Sequence, residues 1–108
     1  MTVSELAVRA DLTAAAMPDG DREVTGVYIG DLLSWVMGRA ASGDAWITIM
    51  SNRNIAAVAT LSDAACIILA EGVQPDEGVA TLAEEKGINL LLSEVSAYDT
   101  ALRLRDAL

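Results

Sequence analysis

The chain has 108 residues, 53% of them hydrophobic, with sixteen acidic side chains against seven basic ones and a net charge of −9. That length fits one domain, residues 1–108, and the apolar share can fill a core and argues against disorder. With a single Lys and scattered Arg, the clustered cations of a nucleic-acid surface or an anionic membrane surface are missing, so neither partner is expected.

In chain order, Thr2-Val3-Ser4-Glu5 reads as a capping box, with Thr2 as N-cap and Glu5 reaching back. Val3, Leu6, Ala7 and Ala10 follow at helical spacing, which predicts a short helix ending near Ala10. Leu12 to Met17 is ambiguous and is read as a short strand. Pro18-Asp19-Gly20-Asp21 is a turn. Val24 to Ile29 is a strand interrupted by Gly26, which signals a bulge or a close backbone approach. Gly30-Asp31 opens a helix with Asp31 as N-cap. Its apolar stripe is Leu32, Leu33, Val36, Met37 and Ala40, and Gly43 lies just past its end. Trp35 sits off that stripe, rotated by more than about 90° from its centre at 3.6 residues per turn.

A regular rhythm follows. Ala45 to Met50 reads as a strand, Ser51 to Asn54 as a polar capping loop, and Ile55 to Leu61 as a helix. Cys66 to Ala70 is a continuous apolar strand. Pro75 suits a first helical position, with Asp76 and Glu77 at the positive end of the dipole and Lys86 at the negative end. Val79, Leu82 and Ala83 form that helix's inner face, and Gly87 stops it. Ile88 to Leu92 is another strand. Ser96-Ala97-Tyr98-Asp99 caps a last helix with the stripe Ala97, Ala101, Leu104 and Leu108. The alternation means βαβ units, and unbroken Val/Ile/Leu runs mean strands covered on both faces. The fold class is therefore α/β: a mostly parallel sheet with flanking helices.

The chain has no His, which removes His-based catalysis and every His metal site. Its one Cys, Cys66, lies in an apolar run and reads as a small buried hydrophobe. No stretch approaches the roughly 18 apolar residues of a membrane span. The first residues lack signal-peptide character, so a reducing cytoplasm is the expected location. Asp19, Asp21 and Glu23 are too few to make a dedicated metal loop. Serine nucleophiles would have only Lys86 as a base, so no enzyme, metal or cofactor is expected. No dinucleotide or phosphate-loop glycine motif is present.

In an open parallel sheet, ligands bind outside the carboxyl ends of the strands. The sequence places Asp31, Ser34, Ser51, Asn54, Ser93 and Ser96 there, beside helix N-termini that suit an adenine nucleotide or small anion. Against this stands the plainer reading that Asp31, Asn54 and Ser96 are helix caps alone.

Asp21-Arg22-Glu23-Val24-Thr25-Gly26 resembles the D-R-x-V-T-G signature of the DRTGG domain family. Gly30 to Met37, Trp46 to Ile49, Asn54 to Ala59, Ala65 to Ile68, Glu71 to Pro75, and Gly87 to Ser93 with Ser96 resemble its later segments in order. The resemblance implies a domain similar to the N-terminal domain of HPr kinase/phosphorylase. Such domains are also fused to phosphotransacetylases and set between the regulatory CBS domains of some pyrophosphatases. Asn52 stands where some members carry His, so a role resting on an imidazole is absent. The resemblance implies a non-catalytic regulatory or interaction module, acting as a homodimer on an unidentified protein partner. The alternative is a nucleotide or metabolite sensor at the sheet's carboxyl edge. Within the signature, Asp21 is expected to close the turn, Arg22 to pair with Asp19, Asp21 or Glu23, and Gly26 to allow close approach. A direct ligand role for Arg22 and Thr25 is the competing reading. Trp35, large and off the core stripe, is the interface candidate, and the plainer reading is that it folds over a neighbouring loop near Met17 or Ser42.

Overall fold

The computed structural model describes residues 1–108. The elements run α1 (Val3–Arg9), β1 (Thr13–Ala16), β2 (Gly26–Ile29), α2 (Leu33–Arg39), β3 (Asp44–Thr48), α3 (Asn54–Ser62), β4 (Cys66–Leu69), α4 (Val79–Lys86), β5 (Leu90–Leu92) and α5 (Ala97–Ala107). Five strands form one sheet in the order β1-β5-β4-β3-β2. β2, β3, β4 and β5 are parallel, and β1 is antiparallel to β5. The expected α/β class and the mostly parallel sheet are both present.

Every residue of β3 and β4 is buried. Side chains alternate along a strand, so each of these strands feeds two cores. Ala45, Ile47, Cys66 and Ile68 face α1 and α5, where Leu6 and Leu104 meet them. Trp46, Ile67 and Leu69 face the other layer, with Val36 of α2, Ile55 and Val58 of α3, and Val79 of α4. The three crossover helices therefore share one face, as same-handed crossovers along a sheet require. Trp46 is fully buried, and its indole N–H donates to the Gly30 carbonyl at 2.9 Å, tying the end of β2 to β3.

The capping box at Thr2 forms in full, and Gly87 closes α4 in the left-handed region. Ser96 caps α5 by accepting the Asp99 N–H. Several expectations are corrected. Asn54 does not cap α3: it is the opening residue of that helix, which has no side-chain cap. Asp31 does not cap α2. Its carboxylate instead accepts from the Thr48 hydroxyl at 2.8 Å and the Ile49 N–H at 3.0 Å, and α2 starts behind Leu32 without a side-chain cap. Pro75 does not open α4. Asp76 is bound to Ser51 through both backbone and hydroxyl, which holds residues 75–77 in the loop, and the helix begins after a left-handed Gly78. Leu32 and Met37 do not face the sheet. A helix of seven residues buries one row, and that row is Val36 with Leu33 and Ala40 beside it.

Cys66 is buried at the centre of the sheet, and loss of hydration pushes its thiol up to about 12. The reactive thiolate is therefore negligible in the folded state. A thiol reagent should leave Cys66 unlabelled for as long as the chain stays folded, and label it once denaturant is added. Rapid labelling without denaturant would contradict its place in β4.

Candidate functional site

The signature residues lie at the amino edge of the sheet, where β2, β3 and β4 begin. Arg22 reaches across to the turn before β4: its guanidinium donates to Asp63 Oδ1 at 3.1 Å and to the Asp63 carbonyl at 3.0 Å. This corrects the expected pairing with Asp19, Asp21 or Glu23. Asp63 has a left-handed φ of 56°, which aims both its carbonyl and its carboxylate into the loop cluster. The Ser42 hydroxyl donates to Asp63 Oδ2, and the Gly43 N–H to the Asp63 carbonyl. Thr25 packs on Gly43, whose φ is +88°, and a Cβ there would strike the Thr25 hydroxyl. A Cβ on Gly26 would lie 2.5 Å from Asp44 Oδ1, so close approach is what this glycine permits. Asp21 is exposed, and the turn closes through the Arg22 N–H to the Asp19 carbonyl.

The turn has an anchor that sequence reasoning missed. Asn89, 2% exposed, donates to the Asp19 and Ala65 carbonyls and accepts from the Asp19 N–H. Its partner is seventy residues away, and an Asn between two apolar runs carries no local signal of that.

At the carboxyl edge, the six candidates do not converge. Asp31 holds Thr48 and Ile49, and Ser51 donates to Asp76. Ser93 shares a 2.7 Å hydrogen bond with Thr100, and Ser96 caps α5. Ser34 is exposed on α2, and Asn54 is exposed at the start of α3. Every buried side-chain nitrogen and oxygen has a hydrogen-bond partner, so no orphaned group is aimed at a ligand. Of the six, only Asn54 borders a cavity. This is the largest, about 480 Å³ between α3 and α4, with Arg53, Thr60, Leu61, Leu82 and Lys86 around it. Two cations and no carboxylate line it.

Most of the exposed large apolar side chains lie elsewhere. Val27 and Ile29 on β2, Leu32, Trp35 and Met37 around α2, and Ile49 after β3 are all exposed, Trp35 by 52%. Trp35 finds its partner within its own helix: the Arg39 guanidinium stacks 3.7 Å from the ring centroid. Between Val24 and Ser42 the only charged side chains are Asp31 and Arg39. In a chain of net charge −9 this surface is locally neutral.

The amino-edge cluster has a pH signature. The hydrogen bonds from Arg22 and Ser42, then the Arg22 charge, hold the Asp63 carboxyl below its ordinary 3.8. A depressed folded value stabilises above the unfolded value and is lost as pH falls through the folded one. Asp63→Asn should therefore lower the melting temperature near neutrality and flatten its decline below pH 3.8, measured by thermal denaturation across pH. Gly43→Ala should cost at least about 1 kcal/mol in chemical denaturation, from the left-handed backbone and the Thr25 contact together.

A model of the DRTGG domain matches residues 7–107. No curated protein matches the sequence. Among solved structures, the chain is similar to the crystal structure of the CBS and DRTGG domains of the regulatory region of Clostridium perfringens pyrophosphatase, complexed with its activator, diadenosine tetraphosphate. The two are 13% identical with a TM-score of 0.75, and the match covers 99% of this chain and 47% of the other. The chain thus spans about half the length of that relative, and at this identity the likeness is one of fold. The family match, covering nearly the whole sequence, shows that the chain belongs to the DRTGG domain family.

Proposed function

We propose that this DRTGG domain is a non-catalytic regulatory module of the cytoplasm, acting as a homodimer on a protein partner. One observation carries the reading: the neutral, apolar surface around Trp35 on a strongly acidic domain. Trp is enriched among the residues that dominate interfaces, and its cost in water is recovered when a partner covers it. The regulatory setting of the pyrophosphatase relative is in keeping with this role. So is the scarcity of catalytic groups: no His, a buried thiol pushed up to about 12, and one Lys at a helix end.

Size exclusion with light scattering at tens of micromolar, roughly the range that reveals micromolar dimers, should give a dimer. Trp35→Ala should stay folded and dissociate more readily, by about 2 kcal/mol or some thirtyfold in Kd. A monomeric wild type would overturn the proposal.

A second reading has its own support. The cavity beside Asn54 is lined by Arg53 and Lys86 without an opposing carboxylate, and it lies in the size range of small-molecule sites. It suits an adenine nucleotide or small anion better than the carboxyl-edge Ser51, Ser93 and Ser96, whose hydroxyls are bonded within the fold. At one hundred times its dissociation constant a ligand adds about 2.7 kcal/mol. Adenine nucleotides should then raise the melting temperature, and Arg53→Ala should abolish the rise. A millimolar screen without a shift would remove this reading.

A further inference from the structure

β2 is an open edge of the sheet, paired on one side only, to β3. Natural edges are guarded by Lys, Pro or inward-pointing charge, and β2, Gly26-Val27-Tyr28-Ile29, has none of these. The Gly30 N–H bonds inward to the Ile47 carbonyl. Backbone direction alternates along a strand, so Tyr28 also bonds inward, while the N–H and C=O of Val27 and Ile29 point out to solvent. The Thr25 N–H is bonded inward, to the Gly43 carbonyl, and ends the free row on that side. The edge thus offers four main-chain groups, on Val27 and Ile29.

Apolar side chains flank the row on both faces of the sheet. Val27 and Ile29 register with Ala45 and Ile47 and so share the α1/α5 face, yet they remain 38% and 51% exposed. On the other face lies α2. It descends against the strand direction in a right-handed crossover, so a residue about 100° before the inward Val36 turns outward past β2, away from α3. That residue is Trp35. Six of the ten exposed large apolar side chains fall between Val27 and Ile49.

We infer that a second copy of this chain covers this edge, pairing β2 with β2 antiparallel about a two-fold axis at Tyr28. The inference rests on the homodimer reading and specifies its surface. This register uses all four free groups of each strand. Val27 of one copy then opposes Ile29 of the other, twice, which gives four main-chain hydrogen bonds and two apolar cross-strand pairs. The two Tyr28 side chains meet across the axis on the α2 face, with the Trp35 surfaces to either side. The two sheets become one, and a two-fold contact closes where an edge-to-opposite-edge contact would propagate. Charge does not oppose the same occupant: the approaching segment of the second copy, Val24 to Ser42, carries one acid and one base.

Tyr28→Cys tests the register. In a non-hydrogen-bonded antiparallel pair the two Cα atoms lie about 4.5 Å apart, within disulfide reach. Mild oxidation should convert the variant to a covalent dimer on a non-reducing gel. Asn54→Cys, on the exposed start of α3, should stay monomeric there, and buried Cys66 supplies no competing thiol. Ile29→Lys, which places an ammonium on the edge, should leave the circular dichroism unchanged and yield a monomer in light scattering. A dimeric wild type whose folded Tyr28→Cys variant forms no intermolecular disulfide overturns the strand pairing and leaves the homodimer reading standing. A wild-type monomer overturns both, even if it takes up an extended peptide along β2. Should Tyr28→Cys fail to fold, Ile29→Lys decides, and a dimer retained in that variant overturns the pairing.

Discussion

The whole arrangement depends on burying β3 and β4 on both faces. Nine consecutive-strand residues, Asp44 to Thr48 and Cys66 to Leu69, have almost no contact with water. A parallel sheet of this kind needs a helix layer on each side. The crossovers supply one layer automatically, since α2, α3 and α4 connect the four parallel strands. The opposite face has no crossover to cover it. It relies on the two terminal helices, and the contacts of Leu6 and Leu104 with Ile47, Cys66 and Ile68 show them closing over the centre. Cover is complete there and thins toward the rim. Val27 and Ile29, in the same face and one strand further out, stay exposed. The exposed edge is a consequence of the layer count, and it is where this domain has surface left to offer.

The polar residues at both ends of the sheet serve the same architecture. At the amino edge Arg22, Ser42 and Asp63 tie together the loops that lead into β2, β3 and β4. At the carboxyl edge Asp31 ties the exits of β2 and β3, and Glu71 reaches the Ala97 N–H at the start of α5. Ser93 and Thr100 join β5 to α5. In many α/β proteins the carboxyl edge is a ligand crevice. Here the corresponding groups are engaged with one another. The signature is likewise read as structure: Gly26 lets β2 approach Asp44, and Arg22 locks a turn forty-one residues away.

What the sequence discloses follows from the range of each interaction. The Thr2–Glu5 box, the Ser96 cap, the Gly87 stop and the apolar strands are local patterns, and each stands where its spacing puts it. Even the ambiguous Leu12–Met17 stretch is a strand, Thr13–Ala16. Asp31 has the right neighbours for a cap, but Thr48 and Ile49 compete for its carboxylate, and that competition exists only once β2 and β3 pair. Pro75 has the right φ for a first turn, but Ser51 binds Asp76 from another loop. Arg22 has three acids close by in sequence, and it chooses Asp63, which the fold delivers with two acceptors at once. Trp35 is legible as an outlier from its stripe. Its neighbours Leu32 and Met37 are not, because periodicity counts apolar positions without knowing how little a seven-residue helix can cover.

Net charge is the strongest objection to self-association, since two copies at −9 repel. Distance decides the matter. At physiological salt, screening acts over about 8 Å, so acids outside a contact contribute little to its free energy. What counts is the charge inside it. Outside Val24 to Ser42 the acids lie in α1 and just after it, in the Asp19–Glu23 segment, at Asp44 at the start of β3, at Asp63 after α3, in the loops after β4 and β5, along α4, and at Asp99 and Asp106 on α5. From Val24 to Ser42 the chain holds only Asp31, whose Oδ1 is bound to Thr48 and Ile49, and Arg39, stacked on Trp35. Under the proposed pairing, the two copies therefore meet along a segment that carries one acid and one base, both already engaged within the chain.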